Sequence, residues 1–378
     1  MKVLYLTQWY PNRYDAMAGL FVRNHAEAAV KQGVDVCVLY CHETDKLAMG
    51  AKMEIVDRTV NGVREIIVYY IGSRLYAVRR GYQMVEQRWG RPDLCQVNVL
   101  TKTALWANLL WRNKHIPYIL VEHWSGYLPA NGIYLRENGK LKRWMFEYLA
   151  REAKCLLVVS AMLRDAMADC GIKNKNTMLI NNVIDDCFFA ESEVRRGTIG
   201  RQLLHVSCFD EAAKNIRGIL KAVSLLRQRR QDFHLTIVGT GKDFDEVKAY
   251  ADELGLTANM AVTFTGELTP QEVHETMLRS HVFVLFSRYE TAGVVYPESL
   301  AAGVPIVSTP VGIASEVVTP ETGIIVPQED TQALAEAIEN VMDKWETYDA
   351  SVLREKALPF SSQEVGVMLK SVYESVLS

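Results

Sequence analysis

The sequence predicts an α/β protein of two Rossmann-like domains, each a parallel sheet covered by helices. Three observations carry this expectation. The chain has 378 residues, and at ~100–200 residues per domain that length suits two domains with a core each. Short apolar runs alternate with helix-spaced patterns from end to end, the rhythm of strand–helix–strand units. One polar stretch, ESEVRRGTIGRQ at residues 191–202, interrupts that rhythm and reads as a linker. The expected boundaries are therefore 1–190, 191–360 and a helical tail over 361–378.

In the first half, buried-type strands are expected at Val3–Leu6, Val34–Leu39, Tyr118–Val121, Leu156–Val159 and Met178–Ile180. Between the first two lies GLFVRNHAEAAVKQG, where Phe21, Val22, Ala26, Ala29 and Val30 follow helical spacing and Gly33 supplies the stop. The second half repeats the scheme with strands at Leu203–Val206, Leu235–Val238, Val262–Phe264, Val282–Phe286, Pro305–Ser308 and Gly323–Val326. The tail SSQEVGVMLKSVYESVLS places Val365, Met368, Leu369, Val372, Tyr373 and Val376 on one helical face.

Composition excludes several classes. Apolar residues make up 49% and charged residues 23%, an ordinary globular balance. A net charge of -3 and a pI near 6.3 argue against a general nucleic-acid binder. No apolar run approaches the ~18 residues of a membrane span. The opening MKVLYLTQWYP is too short in apolar residues for a secretion leader, so a cytoplasmic setting is expected. Seven scattered cysteines without a CxxC motif suit reduced thiols. Cys37 and Cys41 lie along one strand, about 13 Å apart, too far for a shared metal.

The stretch SRYETAGVVYPESLAAG holds two acids, Glu290 and Glu298, with seven residues between them. A helix is expected over Tyr296–Ala302, with Pro297 in its first turn and Gly303 as its stop. Gly293, Val294 and Val295 would precede it with free backbone amides suited to an anion, and Gly293 would admit a ligand close to the backbone. The plain alternative makes Glu298 a helix-dipole partner and Glu290 a loop acid.

YETAGVVYPESLAAGVPIVSTPVG resembles the E-x7-E signature of retaining GT-B glycosyltransferases, close to glycosyltransferase family 4 (glycosyl transferases group 1). LLHVSCFDEAAKNIRGILKAVSLL, HLTIVGTGKD, VTFTGELTPQEV and ETGIIVPQEDTQALAEAI stand in that family's order. LINNVIDDCFF resembles its Pro-Asn-x-x-Asp segment, with Asn181 in place of proline. The resemblance covers about residues 180–345 and is diffuse before them. It implies a GT-B fold: two facing Rossmann-like domains with parallel sheets, a hinge, and a C-terminal helix crossing back to the first domain.

It also implies roles. Glu298 would hold ribose hydroxyls, Glu290 the donor sugar, and the backbone of Gly293, Val294 and Val295 the sugar and diphosphate. Lys214 matches the family lysine that meets the diphosphate, and Ser207 lies in the loop before it. Many members carry an arginine shortly before that lysine; here the region reads Ser207-Cys208-Phe209, and Arg217 is the candidate replacement. Gly19 resembles the family's glycine loop. His123, at the end of YILVEHWSGY, matches a histidine on the donor sugar, and one of Glu122 and His123 should face away from it.

Gly239-Thr240-Gly241 lacks a third glycine and is a weak dinucleotide motif, although Gly239 can let its loop approach the nucleotide. Asp243-Phe244-Asp245 matches a metal-binding D-x-D pattern but is expected to cap a helix. Gly266 and Leu268, in VTFTGEL, resemble the loop that takes the base. No metal and no cofactor beyond a UDP- or GDP-linked sugar are expected. A basic, aromatic run over Arg74–Arg91 and the basic stretch at 136–154 suggest a glycan or lipid-linked acceptor and peripheral contact with the inner membrane face. The resemblance thus implies retaining sugar transfer from a nucleotide-sugar donor, in bacterial surface-polysaccharide assembly. The weighed alternatives are a nucleotide-sugar 2-epimerase of the same fold and a non-catalytic two-domain sugar receptor.

Overall fold

The computed structural model describes residues 1–131, 140–190, 200–258 and 260–378. They pack as two compact units: Met1–Pro129, Ile133–Val183 and Ser362–Ser378 in one, Ala130–Gly132 and Ile184–Ser361 in the other. Most of the expected linker, residues 191–199, and the start of the basic stretch, residues 132–139, lie outside the described residues.

The first unit runs β1 (Lys2–Thr7), α1 (Leu20–Lys31), β2 (Asp35–Glu43), β3 (Met53–Val60), β4 (Val63–Tyr70), α2 (Arg74–Arg88), β5 (Leu94–Asn98), α3 (Thr103–Lys114), β6 (Tyr118–Glu122), α4 (Lys140–Glu152), β7 (Leu156–Val158), α5 (Ala161–Asp169) and β8 (Thr177–Leu179). Its sheet has the order β3-β4-β2-β1-β5-β6-β7-β8 and is parallel except at the β3–β4 pair.

Three of these strands were not among those expected. β3 and β4 form a hairpin whose turn is Asn61-Gly62, both at positive φ (49° and 81°). An Asn-Gly turn between strands is a strong hairpin signal, and it stands in TVNGVR. β5 carries Gln96 and Asn98, both fully buried, and these polar residues broke the apolar pattern. The amide of Gln96 donates to Asn98 Oδ1 (3.0 Å) and its oxygen accepts from Tyr373 Oη (2.7 Å), which makes the burial of Gln96 tolerable.

The second unit runs β9 (Arg201–Val206), α6 (Glu211–Lys214), α7 (Ile216–Arg227), β10 (Phe233–Val238), α8 (Phe244–Glu253), β11 (Val262–Gly266), α9 (Pro270–Arg279), β12 (Val282–Leu285), α10 (Val295–Ala301), β13 (Ile306–Ser308), α11 (Ala314–Val317), β14 (Gly323–Ile325), α12 (Thr331–Lys344) and α13 (Ala350–Ala357). The sheet order is β11-β10-β9-β12-β13-β14, all parallel. Here all the expected strands are present. Ile219, Val223 and Leu226 of α7 meet Leu334, Ile338 and Val341 of α12 in one buried cluster. Each such aliphatic side chain contributes about 1.5–3 kcal/mol of burial.

This unit begins at Ile184, ahead of residue 190, for a packing reason. The Ile184 amide donates to Phe360 O (3.1 Å), and the Phe188 ring lies 5.3 Å from His274 of α9.

The last helix, α14 (Ser362–Leu377), belongs to the first unit. It buries Val365, Leu369, Val372 and Tyr373. Gly366 permits the contact with α1, because a Cβ there would sit 2.4 Å from Ala28 O. Tyr373 Oη donates to Gln96 Oε1 (2.7 Å) and lies 2.6 Å from Tyr5 Oη, tying the helix to β1 and β5. Tyr373→Phe should leave these buried groups short of a partner and cost about 1–3 kcal/mol, read as a lower urea midpoint with an unchanged slope.

Candidate functional site

The sequence-expected residues of the second unit fall at the carboxyl ends of its strands. Ser207 follows β9, Gly239 follows β10, Gly266 closes β11, and Ser287–Glu290 follow β12. Ligands of open α/β sheets bind at this edge.

Ser207, Gly239 and Gly266 are brought together by backbone. The Gly239 amide donates to Gly266 O (2.8 Å), and a Cβ on Gly239 would meet Ser207 O at 1.9 Å. Gly241 presses on Phe209 in the same way, with a Cβ only 2.6 Å from Phe209 N. The glycine pair thus serves the approach of two loops. The Ser207 hydroxyl is oriented from below by His205. Burial lowers His205 to about 4, so its ring is neutral at pH 7. Its Nδ1 must donate to Val284 O (2.8 Å), which leaves Nε2 to accept from Ser207 Oγ (2.7 Å). The Ser207 lone pairs then remain for a ligand donor. Leu268 stands half-buried two residues beyond Gly266.

Lys214 and Glu290 form an ion pair, Nζ–Oε1 2.5 Å, with side chains only 16% and 11% exposed. Ser287 Oγ donates to the same carboxylate oxygen (2.9 Å). Burial alone would lower the Lys214 ammonium, but the charge and hydrogen bond of Glu290 outweigh it and hold it above its ordinary value. Lys214 is therefore fully charged at pH 7.

Arg288, which the sequence reading missed, holds this arrangement. Its guanidinium bonds Glu211 O (2.6 Å), Asn215 Oδ1 (3.0 Å) and Glu329 Oε1 (2.6 Å), and its amide bonds Ala213 O (2.7 Å). The only sequence signal was a basic residue two places before Glu290. Arg217, the candidate replacement for the family arginine, turns instead to Glu246 (3.2 Å) and lies over the Tyr250 ring. Asp243 also departs from expectation: it stands at the N-cap of α8 but accepts from the Glu211 amide (2.7 Å), not from its own helix. The reason is the press of neighbouring loops, which offers it an amide on α6.

α10 begins at Val295, so Val294 is its N-cap and Val295 its first residue. Gly293 has φ 84°, and a Cβ there would lie 2.6 Å from the Tyr296 ring. Glu298 sits in the first turn, half-buried. Burial first, and the charge of Asp185 second, push it up to about 8. Asp185, also unforeseen, belongs to the quoted LINNVIDDCFF segment and accepts from the Cys187 amide (2.9 Å). Glu298 is thus largely a neutral acid at pH 7, able to donate as well as accept.

Gly19 and His123 lie in the first unit. Gly19 caps α1 at φ 62°, where a Cβ would sit 2.3 Å from Trp9 O, so its chain path requires glycine. Glu122 and His123 do divide their roles. Glu122 is fully buried and accepts from the amides of Leu100, His123 and Trp124 (2.8, 2.9 and 2.9 Å) and from Tyr127 Oη (3.2 Å). Both ring nitrogens of His123 are buried without a partner in the described protein. Its ring lies 4.1 Å from Phe21 and 5.5 Å from His25. Burial, then His25, drives its pKa well below the ordinary value, so it is neutral. Buried polar atoms are rarely left orphaned, and a bound polar group would satisfy these.

Glu298 makes a pH prediction. Its folded pKa lies above the unfolded carboxylate value of about 4.3. The native state then holds the proton more tightly, and stability is lost as pH rises from about 4.3 through about 8. Glu298→Gln should remove that decline, and Asp185→Asn should shift it to lower pH. Urea denaturation across this range checks both.

The comparisons agree with this geometry. Residues 18–187 match the Glycosyltransferase Family 4 model, and residues 199–356 match Glycosyl transferases group 1. A glycogen synthase of Mycobacterium tuberculosis is 24% identical over 373 residues, covering 91% of this chain and 86% of that protein. Sucrose-phosphate synthase from Thermosynechococcus elongatus shares the fold at TM-score 0.79 and 19% identity, covering 100% of this chain and 99% of that one. Anabaena HepE, solved with UDP-glucose, does so at TM-score 0.72 and 17% identity, covering 99% and 100%. The chain belongs to the family 4-like glycosyltransferases of GT-B fold.

Proposed function

We propose that this glycosyltransferase moves a sugar from a UDP- or GDP-linked donor to a glycan or lipid-linked acceptor, with retention at the anomeric carbon and without metal or further cofactor. The observation that carries the reading is the secluded Lys214–Glu290 pair at the sheet edge, with Glu298 following after seven intervening residues in the first turn of α10. Relatives and neighbours support it: a kanosaminyltransferase of Streptomyces kanamyceticus is among the former, and Anabaena HepE is solved with UDP and with UDP-glucose.

In this reading, the acceptor oxygen bonds to the anomeric carbon on the face that the diphosphate leaves, the bond between that carbon and the diphosphate oxygen breaks, and the acceptor's proton passes to the departing diphosphate, on which charge develops. Lys214 exchanges its carboxylate partner for that oxygen and stabilises the charge. Glu290 has one oxygen occupied by Lys214 and Ser287; its other oxygen meets a hydroxyl of the donor sugar. Glu298 exchanges hydrogen bonds with the ribose hydroxyls. The backbone of Gly293, Val294 and Val295 borders the sugar and diphosphate, while Ser207, Gly239, Gly266 and Leu268 border the nucleotide. In the first domain, Gly19 and the unsatisfied nitrogens of His123 offer further ligand contacts. Bacterial surface-polysaccharide assembly in the cytoplasm is the setting that the resemblance suggests. Among the described residues no helix is long and apolar enough to cross a membrane. The epimerase and receptor alternatives find no support among the relatives reported above.

Calorimetric titration of UDP, GDP and ADP, with EDTA present, tests this. One nucleotide should bind selectively, and Glu298→Ala should weaken it by about 1–3 kcal/mol, the cost of leaving the ribose hydroxyls without their partner. Lys214→Met should lower turnover about 10²–10³-fold, as for loss of one group that stabilises developing charge. Absence of nucleotide binding to folded protein, or turnover that requires a divalent ion, would sink the corresponding part of the reading.

A further inference from the structure

The first domain has a second feature that the nucleotide chemistry does not use. α2 and α3 leave between them an apolar hollow of about 380 Å³. Leu75, Val78, Leu105, Trp106 and Leu109 line it. Leu75 is 68% exposed, Leu109 48% and Leu105 37%, so these side chains meet water although their neighbours could cover them. A second hollow of about 350 Å³ shares Trp106 and Leu109 with the first and extends it towards Leu110; Arg79 and the mutually paired Glu86 and Lys114 border it, so the cations left without a carboxylate at the track's beginning are Arg74 and Lys102. Together they form a track along the helices, suited to an elongated apolar group more than to a compact one.

The charges lie where such a group would need a polar head. Arg74 and Lys102 line the first hollow at the beginnings of the two helices. Arg79, exposed one turn further along α2, borders the second hollow instead. Lys102 and Arg79 make no ion pair with any described residue. The beginnings of α2 and α3 follow β4 and β5, so this cationic end lies at the carboxyl edge of the first sheet, the edge that also bears Gly19 and His123. Arg74 confirms the placement by donating to Gln8, the residue just past β1. Within the hollow, Trp106 Nε1 is buried without a partner. An ester or phosphate oxygen entering here would satisfy that donor.

We infer that the α2–α3 groove holds a hydrocarbon chain of a lipid acceptor whose head group is anionic. The chain lies along Leu105, Trp106 and Leu109, and the head group meets Arg74 and Lys102. The inference rests on the proposed sugar transfer, since it names the class of acceptor. Apolar contact alone would serve any greasy partner; the cations at one end of the track select an anionic amphiphile.

The test uses the full chain and monomeric lysophosphatidylglycerol brominated along its acyl chain, which quenches nearby tryptophan. Wild type should show saturable quenching, and Trp106→Phe should lose most of it. Leu105→Asp and Leu109→Asp, at exposed positions that tolerate charge, should weaken binding at least tenfold with unchanged urea midpoints. Lys102→Glu should weaken it, and the equivalent lysophosphatidylcholine should bind at least tenfold less well than the anionic lipid. Equal quenching in the aspartate variants, or equal binding of the two head groups, would overturn the inference. Nucleotide titration of the same variants separates the two proposals. If the lipid binds but no nucleotide does, sugar transfer fails while the groove assignment as a lipid site stands. If nucleotide binds and lipid does not, only the groove assignment falls.

Discussion

The second domain depends on one buried charge pair, Lys214 with Glu290. Withdrawing an ammonium and a carboxylate from water costs several kcal/mol per ion unless each keeps good partners. The surrounding structure supplies them. Ser287 adds a hydrogen bond to Glu290, and Arg288 lashes the loop after β12 to α6, the short helix that ends in Lys214. Glu211 in turn accepts from the Ile216 and Arg217 amides and caps α7.

Close backbone contacts set the stage for that pair. Gly239 lies against Ser207, and Gly312 lets a second loop approach Ala292 O, where a Cβ would stand at 2.4 Å. These approaches crowd strand ends together, so amides and small side chains border the site and bulky ones stay out. The same crowding explains why Asp243 and Arg288 choose partners on neighbouring loops. His205 shows the effect in the vertical direction: with one nitrogen committed to a strand carbonyl, the other dictates the Ser207 rotamer.

The first domain separates two kinds of buried polarity. Glu122 spends its carboxylate on the protein, with three amides and a tyrosine hydroxyl around it. His123, the next residue, spends nothing from its ring. Glu122 ends β6 and His123 follows it, and their side chains meet different surroundings, so one organises the loops while the other remains available. The tail helix contributes stability from afar, through Tyr373 and the glycine that lets it touch α1.

Much of this was legible in the sequence. The helical spacing of Val365, Leu369, Val372 and Tyr373, the run at Leu203–Val206, and the acids at 290 and 298 are local patterns that declare elements and a candidate site. The Asn61-Gly62 turn was equally local and should have revealed its hairpin. What the sequence by itself determined is the α/β class, the strands of the second domain and the residues that can bear charge beside a sheet edge. Tertiary structure alone decided that Glu298 is neutral, that Arg288 rather than Arg217 stands behind Lys214, and that His123 is left unsatisfied. Those outcomes depend on desolvation and on which distant segment arrives within hydrogen-bond reach, as Asp185 does for Glu298. Periodicity and spacing describe one segment at a time, whereas a pKa or a guanidinium's choice of partner is a property of several segments meeting.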